Sequence, residues 1–476
     1  MIFFSFKTSL ILLAGSTRLK SSHYCLGMTS RKVAIIGAGA AGLIAADVLS
    51  KCDIDVEVLE RNCFVGGVWK YNKVSAMYKS LVTNLPKEIM AYNDETPFDS
   101  VLPSFLTHSD VQAYLEKFCD AQSLNRFINL ECNVTSVRRL AHSRWEIKYV
   151  RSNGETITSD NFTHVIVCNG HYDKPESPPI KGLELFDGRV MHSKYYDDPE
   201  EFSGQNVLVI GTRSSGTDLA MAISRHANVV HISDHNLEGS SRHYPSNIWH
   251  RPAIAEVVGH RTIRFTNEEE VNVDCIIYCT GYEFDMPFLS SQSDSELSDE
   301  VKSLDWTATA APLPLLVQDR SVRPLFLQLF HALDPSLTFI GLPHSIVPFP
   351  LFYLQAKLIA ASILGTYSLP SQEVRWKSFT EFESQFLDTK APRRKYHYLG
   401  DKQWDYCLHL AELAGVADER LKAFVELNKQ IYDDNSNHKP AYPGAPDTYR
   451  RRTYHVDRLV QNQLSIYSLI VLVIPL

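Results

Sequence analysis

The chain has 476 residues, 44% of them apolar and 21% charged, with a formal net charge of -8 at pH 7. Such a chain is long enough for two or three cores of ordinary globular type, and its charge, spread without long blocks, excludes the basic footprint of a nucleic-acid partner. Its nine cysteines show no CxxC spacing, and without an HExxH or a tight His/Asp cluster they exclude a readable metal centre or disulfide framework.

Residues 1–30 read as an extension or targeting segment. No acidic side chain occurs before residue 47, whereas Lys7, Arg18, Lys20, Arg31 and Lys32 are basic. A weak signal sequence, an organellar presequence and an extension ahead of an internal start at Met28 all fit this pattern.

The run RKVAIIGAGAAGLIAADVLS then predicts a short apolar strand, a turn through Gly37, Gly39 and Gly42, and an alanine-rich helix. Gly37 permits the tight turn, Gly39 leaves room for a pyrophosphate, and Gly42 lets the helix pack on the strand. DVEVLE predicts the second strand, and its final Glu60 is suited to accept from ribose hydroxyls. Further on, WEIKYVRSNGETITSD predicts two antiparallel strands around an Asn-Gly turn, and FTHVIVCNG a strand closing at Gly170.

The pattern repeats from Gly204 in GQNVLVIGTRSSGTDLAMAISRHANVVHIS. Gly211 and Gly216 hold the first and third glycine positions, Ser214 and Ser215 lie in the turn, and Arg213 replaces the middle glycine. The second strand is expected to end at Ile232 and Ser233, with no carboxylate matching Glu60. An absent carboxylate tolerates a 2′-phosphate, so NADPH is expected over NADH, with Arg213 and Arg242 as candidate phosphate partners. Asp234 opposes that expectation if it turns inward. VDCIIYCTG closes at Gly281 as FTHVIVCNG does at Gly170, and its Cys275 and Cys279 read as buried thiols.

The predicted fold is α/β, with two Rossmann-like dinucleotide-binding domains, the NADP domain inserted into the FAD domain. The limits are 31–173 for the first part of the FAD domain, 174–285 for the NADP domain, 286–455 for the returning part and 456–476 for a tail. FAD takes a hydride from a nicotinamide and stays bound, which gives one chain a reason to carry two such folds. A disulfide reductase would need a redox cysteine pair beside a glycine turn, and neither turn has one.

Several motifs together resemble the flavin-containing monooxygenases, particularly the compact fungal type, over residues 31–450. They are GAGAAG at 37–42, GGVW at 66–69, SLVTNLPKEIMAY at 80–92, and FDGRVMHSKYY with Phe186, Gly188, His192 and Tyr196 in place. GTRSSG and CTGYEF follow, then FLQLFHALDPSLTFIGLP at 326–343 and PFPLFYLQAKLIA at 348–360. Arg213 departs from the family's usual serine. Tyr196 and Asp197 stand where related Baeyer–Villiger enzymes have Trp-Pro, which favours oxygenation of a heteroatom.

The resemblance implies an enzyme that uses NADPH, FAD and O2 to oxygenate an amine, thiol or sulfide through a C4a-hydroperoxyflavin, an activity of the N,N-dimethylaniline monooxygenase type. It places Asn84 beside the isoalloxazine as the catalytic candidate. Gly67 is a candidate for the cofactor site, and Trp69 after it either covers part of the flavin or packs in the core. Gln355 either reaches the flavin region or faces solvent, and His192 reads as a structural link more than an acid or base. Another NADPH-dependent flavin oxidoreductase, a peroxide-producing NADPH oxidase and a nonenzymatic nucleotide-binding protein are the alternatives. The closing SLIVLVIPL is shorter than the roughly 20 apolar residues of a spanning helix, so peripheral membrane contact is the most it offers. A homodimer, and a cytoplasmic setting with endoplasmic-reticulum or organellar association, are compatible with the sequence.

Overall fold

The computed structural model describes residues 31–72, 75–141, 144–234, 245–289, 313–439, 449–461 and 464–473. The apolar run at its start forms β1 (Lys32–Ile36), the alanine-rich run α1 (Ala40–Ser50), and DVEVL β2 (Asp55–Leu59). α1 is buried along nearly its whole length, which suits small residues at Ala40, Gly42, Ala45 and Ala46. α2 (His108–Ala121) starts at a capping box: the Thr107 hydroxyl accepts from the Asp110 N–H, and the Asp110 carboxylate from that of Thr107. β3 (Ile128–Asn129) runs parallel to β2. β4 (Cys132–Leu140), β5 (Arg144–Arg151) and β6 (Thr156–Phe162) form an antiparallel sheet with the Asn153-Gly154 turn between the last two. β7 (His164–Val167) returns parallel to β1.

After β8 (Lys174–Pro175) a second sheet is assembled. β9 (Arg189–His192), β10 (Asn206–Ile210), α3 (Ser214–Ile223), β11 (Val229–Ser233) and β12 (Ile248–Arg251) precede a small antiparallel sheet of β13 (Ile254–Val257), β14 (Thr262–Phe265) and β15 (Glu270–Asn272). β16 (Cys275–Tyr278) completes a five-stranded parallel sheet in the order β12-β11-β10-β16-β9. β17 (Tyr282–Glu283) then pairs antiparallel with β8, so the chain leaves this sheet beside the strand by which it came.

The remaining chain adds a hairpin of β18 (Leu316–Gln318) and β19 (Ser321–Arg323), then β20 (Leu325–Phe326), β21 (Phe330–His331) and β22 (Leu337–Phe339). β22 joins β7 in parallel, giving a seven-stranded sheet in the order β20-β21-β22-β7-β1-β2-β3. The helices α4 (Pro348–Leu364), α5 (Gln372–Asp388), α6 (Gln403–Leu413) and α7 (Glu419–His438) follow, with α4 packed along α1. β23 (Arg452–Gln461) and β24 (Leu464–Val473) pair as an antiparallel hairpin beside α7. The expected limit between residues 455 and 456 therefore falls inside β23, and the segment read as a tail is largely a strand pair. No helix among the described residues is long and apolar enough to cross a membrane.

Strand alternation divides the cores. Val33 and Ile35 of β1 face α1 and α4, whereas Ala34 and Ile36 join Trp145 and Phe162 of the antiparallel sheet. Likewise Val207 and Val209 of β10 pack with α3, and Leu208 packs with Ile263 and Phe265.

Candidate functional site

Each of the two larger sheets carries a glycine turn at the carboxyl end of an inner parallel strand, β1 or β10, and the two turns repeat one another in detail. Gly37 has φ +104° and Gly211 φ +106°, a region closed to most side chains. A Cβ on Gly37 would stand 2.6 Å from the Cys168 carbonyl oxygen, and one on Gly211 2.7 Å from that of Cys279. On Gly42 it would lie 1.8 Å from the Gly37 oxygen, and on Gly216 1.9 Å from the Gly211 oxygen. Both helices begin at an extended N-cap, Gly39 or Arg213, with no side-chain cap bond and no acidic residue in the first turn. Their leading N–H groups and positive dipole ends suit a pyrophosphate. The glycine cradles and uncapped helix starts fit a dinucleotide at each turn.

The acids that close the second strands correct one sequence expectation. Ile36 stands opposite Leu59 and Ile210 opposite Ser233, while Gly37 N–H donates to the Leu59 carbonyl as Gly211 N–H does to that of Ser233. The counterpart of Glu60 is therefore Asp234, not Ser233. Ser233 is buried, and its hydroxyl donates to the Pro252 carbonyl at 2.7 Å. The second motif does end in a carboxylate, legible in the sequence as the same spacing from the first glycine. Glu60 accepts from the Ala38 N–H at 2.7 Å and from the backbone and side chain of Asn62 at 2.8 and 2.7 Å. Asp234 accepts from the hydroxyl of Thr212, the residue aligned with Ala38.

The GGVW loop closes on the first turn. Gly66 N–H donates to the Ala38 carbonyl at 2.9 Å, and Gly67, with φ +59°, leaves only 2.9 Å between a Cβ and the Gly39 Cα. Trp69 lies half-buried with its ring edge-on to Phe349 at 6.5 Å, so core packing accounts for part of its surface.

Asn84 is exposed on a pinned loop. Thr83 N–H donates to the Leu106 carbonyl and its hydroxyl accepts from the Leu106 N–H, while its carbonyl accepts from Arg450 Nε at 3.1 Å. Arg450 also meets Asp218 of α3 at 3.2 Å, which ties the Asn84 loop to the helix of the second glycine turn. The buried Asn435 of α7 donates to the Asn84 carbonyl at 3.1 Å. Sequence reading missed Arg450, Asp218 and Asn435, because nothing local marks residues that meet only through the fold.

His192 is buried and takes the structural role. Its Nδ1 accepts from the Lys194 N–H and its Nε2 donates to the Gly281 carbonyl, both at 3.0 Å, while burial lowers its pKa. Gly188 is needed for space: a Cβ there would lie 2.3 Å from the Phe186 ring and 2.6 Å from the Asp274 carbonyl oxygen. Tyr196 is buried with its ring edge-on to Tyr78.

Gln355 does not face solvent, as one expectation had it. It is wholly buried in α4, accepts from the Gly341 N–H at 3.0 Å and donates to the Tyr406 hydroxyl at 3.2 Å, so it shapes the turn after β22 from beneath. Arg213, Ser214 and Ser215 are exposed at the start of α3, and the Arg213 charge helps lower the pKa of His344 in the segment after β22. Arg242 and residues 1–30 lie outside the described residues. Cys275 and Cys279 are buried, their thiols pushed up to about 11 and about 12 by burial, as core thiols should be.

Two glycine turns on two sheets, one sheet inserted in the chain of the other, define an α/β protein built for two dinucleotides. Comparison with known proteins gives the family. A model for flavin-binding monooxygenase-like proteins matches residues 30–249. The chain is 32% identical to flavin-containing monooxygenase FMO GS-OX-like 2 of Arabidopsis thaliana, over 86% of this chain and 91% of the relative. It is 34% identical to flavin-containing monooxygenase FMO GS-OX5 of the same plant, over 85% and 89%. Among solved structures, S-allyl-L-cysteine S-oxygenase from Allium sativum superimposes with a TM-score of 0.78 at 31% identity, covering 88% of this chain and 94% of that one. The chain belongs to the flavin-containing monooxygenase family and is an NADPH- and FAD-dependent monooxygenase acting on soft nucleophiles.

Proposed function

We propose that the chain oxygenates a thioether sulfur, with FAD at the first glycine turn and NADP at the second. The observation that carries this reading is the near-identity of the two turns, with Arg450 tying the helix of the second to the loop that presents Asn84. FAD reduced by NADPH supplies the electrons that activate dioxygen. The chain's own residues then bind and exclude. Glu60 stands where a ribose hydroxyl donates, with acceptor sites left beyond its bonds to Ala38 and Asn62. The N–H groups at the starts of α1 and α3 hold the pyrophosphates, with Arg213 and Arg242 as further phosphate partners. Asn84 places an uncharged amide that both donates and accepts at the reacting edge, while Gly67 and Trp69 close over the flavin. Gln355 and His192 hold turns rather than move protons. Shielding from water governs the outcome, since water at the site favours release of peroxide.

Sulfur is put ahead of amine nitrogen because the solved relative at 31% identity is an S-allyl-L-cysteine S-oxygenase. An N,N-dimethylaniline-type nitrogen substrate is the second choice. The domain limits we propose are 31–173 and 286–473 for the flavin-holding part and 174–285 for the insertion. The likeness to the compact fungal type rests on the quoted motifs; a homodimer, peripheral membrane contact and a cytoplasmic setting with organellar association are further proposals. The test follows NADPH loss, peroxide release and product together in the FAD-loaded protein, with a thioether amino acid and a tertiary amine. Sulfoxide formed in step with NADPH supports the reading, whereas amine product without sulfoxide overturns the substrate class. Peroxide alone with both makes the chain an NADPH oxidase.

A further inference from the structure

The second glycine turn differs from the first in how its acid is held, and this bears on which nicotinamide nucleotide it admits. Asp234 follows β11 as Glu60 follows β2, one residue beyond the strand register that pairs Ile210 with Ser233 and Ile36 with Leu59. Its side chain is one methylene shorter than that of Glu60. It nevertheless returns to its turn, because the residue aligned with Ala38 is Thr212, whose hydroxyl reaches out to the Asp234 carboxylate. Thr212 is held in turn, its carbonyl accepting from the Thr217 hydroxyl at 3.1 Å. The Asp234 N–H donates to the Arg251 carbonyl at 3.1 Å, which fixes the backbone behind it. The Arg251 guanidinium itself is turned to Glu269 at 2.6 Å. The result is a partly exposed carboxylate, fixed at the place where a Rossmann strand meets the adenosine ribose.

We propose that Asp234 sets the choice at the ribose 2′ position of the second nucleotide, accepting a free 2′-hydroxyl and opposing a 2′-phosphate. This deepens the proposed use of the second turn and rests on it. A carboxylate there gains a charge-assisted hydrogen bond from a hydroxyl and repels a phosphate dianion, so this side chain favours the nucleotide with the free hydroxyl. The chain accordingly binds NAD+ and NADP+ with dissociation constants within about tenfold of each other, where a charged contact alone is enough for about tenfold discrimination or more.

The experiment is calorimetric titration of the FAD-loaded protein with NADP+ and with NAD+, for the native chain and for Asp234→Ser and Asp234→Asn. The asparagine variant keeps an acceptor for Thr212 and so guards against loss of the turn; flavin absorbance reports the integrity of the rest. Either variant is expected to raise the ratio of NADP+ to NAD+ affinity by about tenfold or more. An unchanged ratio in both variants, with both nucleotides still binding, overturns the role of Asp234 and leaves the second turn a nucleotide site. Absence of binding by either nucleotide to the native flavoprotein overturns the site and the inference together.

Discussion

The two glycine turns of this chain share a backbone and differ in what holds their acids. Glu60 is bound by the backbone N–H groups of Ala38 and Asn62, which no side-chain substitution removes, and by the Asn62 amide. Asp234 accepts from the Thr212 hydroxyl, a side-chain contact. The backbone geometry is therefore common to any dinucleotide, and the identity of the nucleotide is left to a few side chains at the rim.

The largest effects should come from breaking one turn and sparing the other. At Gly37→Ala and Gly211→Ala the positive φ and the clash with the Cys168 or Cys279 carbonyl together oppose the turn by about 3 kcal/mol, on the order of a hundredfold in affinity. Gly37→Ala should purify without flavin absorbance. Gly211→Ala should keep its flavin but reduce it with NADPH about a hundredfold less efficiently. Flavin loss from both, or from neither, would dissolve the assignment of one cofactor to each turn.

Acid should separate the two regions next. His331 of β21 and His397 are buried in the flavin-holding part with pKa values lowered by burial to about 4 and about 3; in the inserted sheet His231 of β11 is lowered to about 4. Each binds a proton in the unfolded chain near pH 6.5 that the folded chain refuses, so stability is complete above that pH and falls as the pH drops toward the folded values. The slope is about 1.4 kcal/mol per pH unit for each histidine, and steeper where more of them are buried. Flavin release between pH 6.5 and 4 should therefore precede loss of the inserted sheet's hydrogen-exchange protection.

Glu60→Gln should weaken FAD binding about tenfold, because the charge-assisted bonds at that carboxylate become neutral ones. Equilibrium dialysis of the flavin measures it, and unaltered retention would show that the acid serves only the loop. The smallest effect is expected at Asn84→Ala. Flavin occupancy should be unchanged, while product per NADPH consumed falls about threefold, the size of a modest neutral hydrogen bond. Normal coupling would remove Asn84 from the reacting edge.

The strands, helices and glycine turns of both nucleotide folds were legible because their signals are local: apolar runs, glycine spacing, an Asn-Gly hairpin. The match between Asp234 and Glu60 lies within reach of the same spacing, but the end of an apolar strand is a poor marker of register, and Ser233 falls one residue short of it. Gln355 was harder. A polar residue in an apolar helix looks the same whether it faces water or a buried N–H, and only the turn at Gly341 decides. Arg450 and Asp218 are far apart in sequence, and neither position predicts the other.

The pairing of β8 with β17 has a consequence for how such a chain can be rebuilt. Lys174 and Glu283 face each other across that pair and bridge at 2.8 Å, so the points where the insertion begins and ends are neighbours. A module whose two ends touch can be exchanged for a homologous one, or excised and its stumps rejoined by a turn of a few residues, without stretching the host. Its own ends, once freed, are equally easy to link into a ring. With the nicotinamide nucleotide assigned to the second turn as proposed, its specificity would travel on this cassette, and transplanting residues 176–281 should carry that specificity with it.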